Sequence, residues 1–76
     1  MVNALESTEQ ENRPSGLRTV RALFPSEREA WAATQEYLAK FPPERFGTSL
    51  QAAIRDVGGV QRFEIWGHRG RGQVAA

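Results

Sequence analysis

The strongest constraint on this chain is a periodic stretch held between two proline stops. Pro25-Ser26 opens it and Pro42-Pro43 closes it. Ser26 and Glu29 stand in the S-x-x-E spacing of a capping box, in which each side chain satisfies a backbone N–H of the first helical turn. Apolar or small side chains then recur at Ala30, Trp31, Thr34, Tyr37, Leu38 and Phe41, at offsets 0, 1, 4, 7, 8 and 11. That is one stripe of an α-helix. Glu36 and Lys40 form an i,i+4 pair on the other side. The helix must stop before Pro42, because a residue preceding proline avoids the α region. On this spacing Trp31 and Tyr37 are expected to pack into a core.

The segments on either side supply the sheet that such a helix needs. Leu17–Phe24 reads L-R-T-V-R-A-L-F. Val20, Ala22 and Phe24 alternate with Thr19, Arg21 and Leu23, the period of a strand with one buried face. Val60–His68 reads V-Q-R-F-E-I-W-G-H and alternates in the same way, with Phe63 and Ile65 opposite Arg62, Glu64, Trp66 and His68. Between them, Thr48 and Gln51 give another capping-box spacing, followed by Leu50, Ala53, Ile54 and Val57 and then Gly58-Gly59. This predicts a second amphipathic helix with a glycine stop. The expected fold is α+β: a β-α-α-β unit over residues 17–68 with antiparallel strands. Two strands alone are marginal in water, so dimerisation is expected to complete the sheet.

The flanks read as unstructured. Residues 1–16 are rich in Glu, Gln, Asn and Ser, have Val2 and Leu5 as their large apolar residues after Met1, and close on Pro14 and Gly16. They are expected to form a disordered arm. Residues 69–76, RGRGQVAA, read as a flexible Gly/Arg tail. The arm carries Glu6, Glu9 and Glu11 against Arg13, a charge of −2, and the remainder is +3. The folded part is therefore mildly basic.

Composition narrows the function. The 76 residues include no cysteine and one histidine, so no disulfide framework and no zinc signature is present. His68 adjoins arginines, and no spacing links it to Ser49 or Glu64 as a catalytic set. Glu44, Asp56 and Glu64 fall on separate elements near arginines, the pattern of solvated surface charge. Gly67–Gly72 matches neither a Walker loop nor a dinucleotide fingerprint. The expectation is a protein that is not an enzyme and holds no cofactor. No apolar run is long enough to span a membrane. The first residues lack a secretory h-region, and the expected compartment is the cytoplasm.

Residues 18–57 resemble a ribbon-helix-helix DNA-binding unit. The likeness lies in Arg18-Thr-Val-Arg-Ala-Leu-Phe-Pro-Ser-Glu27, a basic and hydroxyl-bearing strand running into a proline, and in Ser49-Leu-Gln-Ala-Ala-Ile-Arg-Asp56 as a second helix. The resemblance implies a dimer whose paired strands enter the major groove. It would make Thr19 and Arg21 base-facing, put Arg18 at the ribbon margin and bring Thr48-Ser49 near phosphate. Together with the basic residues of the later strand and tail, the expected nucleic-acid set is Arg18, Thr19, Arg21, Arg62, His68, Arg69 and Arg71. The expected function is a small dimeric nucleic-acid-binding protein, a DNA-binding regulator. The competing reading is a non-catalytic adaptor that recruits a protein partner through Trp66 on an exposed sheet face.

Overall fold

The computed structural model describes residues 3–12 and 15–71. After a 3₁₀ turn over Glu6–Thr8 come strands Gln10–Asn12 (β1) and Leu17–Phe24 (β2). Helix Glu27–Lys40 (α1) and a single turn Pro43–Phe46 (α2) follow, then strands Ser49–Val57 (β3) and Val60–Arg69 (β4). The four strands form one antiparallel sheet in the order β1-β2-β4-β3. The class is α+β, as expected.

α1 forms as its caps require. The Ser26 hydroxyl accepts from the Glu29 N–H at 3.2 Å and donates to the Glu29 carboxylate at 3.0 Å. The helix lies on one face of β2 and β4. There Ala30, Ala33 and Tyr37 meet Val20, Phe24 and Ile65, with Ala22, Leu50 and Phe63 packed at the margin. The connector packs down as well. Phe41 tilts against Tyr37 at 4.9 Å and meets the edge of Phe46 at 5.1 Å.

Several sequence expectations are overturned. Residues 49–57 form β3, not a second helix. Val57 pairs directly with Val60, and Gly58-Gly59 between them has φ 60° and 82°. That is a two-residue hairpin of the type I′ kind, where both central residues need positive φ. Thr48 caps nothing; it is buried, and its hydroxyl donates to the Phe41 carbonyl at 2.6 Å. The order is therefore β-β-α-β-β apart from the α2 turn, and the helix pair that carries the ribbon-helix-helix likeness is not formed. All four strands come from one chain, so the premise that a two-stranded unit needs a partner does not hold.

The arm is also corrected. Leu5 is 0% exposed in the core, and Asn3 donates to the Ala33 carbonyl at 3.2 Å. Glu6, Glu9 and Glu11 pair with Lys40, Arg69 and Arg71 respectively. The acidic block folds onto the basic remainder by charge complementarity, helped by one buried leucine. Trp31, expected in the core, is 61% exposed. Residues 72–76 of the expected tail lie outside the described residues, but Arg69 belongs to β4 and is buried.

Candidate nucleic-acid interface

The sheet face away from α1 carries the side chains of β2, β4 and β3 in rows, because cross-strand partners in an antiparallel sheet share a face. The first row is Thr19–His68–Ser49 and the second is Arg21–Trp66–Gln51. The third is Leu23–Glu64–Ala53, and Arg62 stands opposite Arg55 beyond it. Trp66 is half-buried on the central strand, with an arginine on one side and an amide on the other. The first two rows floor an open depression of about 800 Å³, rimmed by Ser7, Thr8, Glu9 and Gln10.

One carboxylate organises the charge on this face. Glu64 is 5% exposed, and its two oxygens take Arg21 Nε from β2 and Arg55 Nη1 from β3, the latter at 3.1 Å. The Arg21 hydrogen bond is the main reason its carboxyl is held below the ordinary carboxylate range, and it outweighs the effect of burial. Both guanidinium groups are thereby tethered while remaining more than half exposed. Among the described residues of β2, β3 and β4 on this face, three arginines, Arg21, Arg55 and Arg62, stand against Glu64, and Glu9 at the rim is already paired with Arg69, so the face is basic.

The expected site residues divide. Thr19, Arg21, Arg62, Trp66 and His68 share the open face. Arg18 and Arg69 oppose each other on the helix side. Arg18 sits 3.9 Å from Glu9. Arg69 is 5% exposed and is corrected from a phosphate contact to a structural residue. It gives Glu9 two hydrogen bonds, from Nε at 2.7 Å and Nη2 at 3.0 Å, and its guanidinium carbon lies 3.7 Å over the Phe41 ring. The Tyr37 hydroxyl donates to the same Glu9 carboxylate at 2.7 Å. Burial, reinforced by that anionic acceptor, pushes the Tyr37 phenol well above its ordinary value. Burial also pushes Glu9 upward, but the hydrogen bonds from Arg69 and Tyr37 and the charges of Arg69 and Arg18 win, and its carboxyl titrates below the ordinary range. Arg71 is paired with Glu11 at 2.8 Å.

The sequence expectation leaves out Gln51 and Arg55 and places Ser49 at a helix start, because its helical stripe covers the residues that form β3. The Val-Gly-Gly-Val step was the signal that would have placed them on the sheet. Among the described residues no group of three His, Asp or Glu side chains converges as a metal site, and no helix is long and apolar enough to cross a membrane. Comparison with protein-family models, curated proteins and solved structures found no match.

Proposed function

We propose that the protein binds single-stranded nucleic acid on the open face of its sheet. The observation that carries this reading is Trp66, held half-exposed at the centre of a basic face between Arg21 and Gln51. Sheet-face binders stack an unpaired base on such an aromatic and hold the backbone with flanking cations. Here a base stacked on Trp66 would have Gln51, Ser49 and Thr19 within its neighbourhood as hydrogen-bonding groups. Arg21, Arg55 and Arg62 would carry phosphate. Duplex DNA fits less well, because Thr19 and Arg21 lie inside a sheet covered on its other face by α1, not on a free two-stranded ribbon that could enter a groove.

The test is anisotropy of a labelled oligonucleotide of about 12 residues, the scale of one such site, with unlabelled duplex as competitor. Binding should weaken between about 50 and 200 mM salt with a slope near −2, for roughly three arginine contacts on a single strand. Trp66→Ala should cost about 1–3 kcal/mol of affinity. An unchanged Kd in Trp66→Ala, or no binding at the lower salt, refutes the reading. Preference for duplex would return the groove-binding alternative. Capture of a protein partner through Trp66, insensitive to salt, would favour the adaptor reading.

A further inference from the structure

The outer edge of the sheet formed by β3 is unlike the edge formed by β1. β1 has three residues; β3 has nine, and its middle reads Leu50-Gln-Ala-Ala-Ile54 with no charge and no proline. Natural edge strands are usually kept short, charged or bulged, because an open row of N–H and C=O groups invites another strand. β3 has none of these protections over Leu50–Ile54. Its helix-side residues are also uncovered. Ile54 is 61% exposed and Ala52 is exposed, although both lie on the face that α1 covers at β2 and β4.

The helix leaves a matching surface. Asn3 and Glu6 bind Ala33, Glu36 and Lys40, so the N-terminal segment runs along that flank of α1. At 100° per residue, Trp31 and Leu38 fall on the opposite flank, which overlooks β3 because β1 and β3 are the two ends of the sheet. Trp31 is in the early part of α1, just beyond Phe24, and Phe24, Phe63 and Ile54 form one row across the sheet. Ile54 on β3 and Trp31 on the β3-ward side of α1 are thus both large apolar side chains left 61% exposed.

We infer that this apolar surface and the β3 edge form an isologous dimer interface with a second copy of this chain, with β3 pairing antiparallel to its counterpart about a two-fold axis at Ala52. The strand is self-complementary in that register. On the helix side, Leu50 meets the second copy's Ile54 and Ala52 meets Ala52. On the open face Gln51 meets Ala53 and Arg55 meets Ser49, so no like charges are opposed. A two-fold axis normal to the sheet keeps both helices on one side. Their axes would lie about 19 Å apart by strand spacing, roughly twice a direct helix contact. The floor of Leu50, Ala52 and Ile54 and the walls of Trp31 and Leu38 from each copy fill that gap. The two open faces become continuous, with the Trp66 pair about 16 Å apart. The interface does not depend on the nucleic-acid reading: Leu50, Ala52 and Ile54, on which it rests, lie on the opposite face, and only Ser49, Gln51 and Arg55 of β3 adjoin both.

Sedimentation equilibrium and cysteine cross-linking test it. The parent should sediment at twice the monomer mass. Ile54→Lys, a change at an exposed position, should sediment as a monomer with an unchanged circular dichroism spectrum. The chain has no cysteine, so Ala52→Cys should oxidise to a covalent dimer without background. The paired Cβ atoms would be about 4.5–5.5 Å apart. Asp56→Cys, displaced by about 27 Å from its counterpart in this register, should not cross-link. A parent that is monomeric at millimolar concentration overturns the inference. So does a dimer that survives Ile54→Lys, or cross-linking through Asp56→Cys as rapid as through Ala52→Cys.

Discussion

Replacing Glu9 with alanine removes the carboxylate that Arg69, Tyr37 and Arg18 share on the helix side. Arg69 has a side chain only 6% exposed and Glu9 one 15% exposed, so water does not readily replace the lost partner. Breaking a buried ion pair by removing one member costs about 3–5 kcal/mol, because the other charge stays buried. Arg69 keeps its place over Phe41 and its 2.9 Å hydrogen bond to the Gly70 carbonyl, which argues for the lower end, about 3 kcal/mol. For a domain of this size that corresponds to roughly 12 °C or more in Tm. Glu6 provides the internal control. It lies three residues earlier, and its partner Lys40 is 60% exposed, so Glu6→Ala should cost no more than about 1 kcal/mol. Urea denaturation followed by far-ultraviolet circular dichroism measures both. A cost for Glu9→Ala below about 0.5 kcal/mol, the range of ordinary surface changes, would show that residues 3–12 do not dock as described.

Leu5→Ala should cost about 2–5 kcal/mol in the same assay, as for a fully buried leucine. Trp31→Ala should cost less than about 1 kcal/mol in the dilute monomer, since its side chain is mostly in water. Gly67→Ala should destabilise by about 2 kcal/mol or more, because the added carbon would stand 1.9 Å from the Ser49 carbonyl oxygen and backbone would have to move. Glu9 titrates lower in the folded chain than in the unfolded one. Its contribution is therefore complete above its ordinary value of 4.5 and lost as pH falls through the depressed one. The denaturation midpoint of the parent should drop on that acid limb more steeply than that of Glu9→Gln.

The sequence was legible where one period and one set of stops agreed. Ser26, Glu29 and Pro42 left α1 no alternative, and the alternation of β2 and β4 correctly separated Val20 and Phe63 from Arg21 and Trp66. Residues 49–57 were ambiguous for a physical reason. Leu50, Ala53, Ile54 and Val57 fit a helical stripe, while Leu50, Ala52 and Ile54 fit a strand equally well. The hairpin geometry at Gly58-Gly59 decides for the strand, and with it come Gln51 and Arg55 on the candidate face. The N-terminal residues misled because their docking depends on partners about 30 to 60 positions away. Composition counts a single leucine and three glutamates; it does not show that a pocket and three cations are waiting for them.

The placement of β4 between β2 and β3 sets the order in which this chain can assemble. The hairpin of β3 and β4 can close locally around Gly58-Gly59, and α1 can fold against nothing but itself. β2 has only the three residues of β1 beside it until residues 60–69 are available, since its long partner is the last of the four strands. Register pairs such as Arg18 with Arg69 span most of the sequence, so forming them carries a large loop-closure entropy. During synthesis, Val20, Phe24, Ala33 and Tyr37 would therefore be translated well before the strand that completes their floor. The nascent chain would hold its apolar face open until β4 emerges, and then close in one cooperative event that brings Glu9 to Arg69.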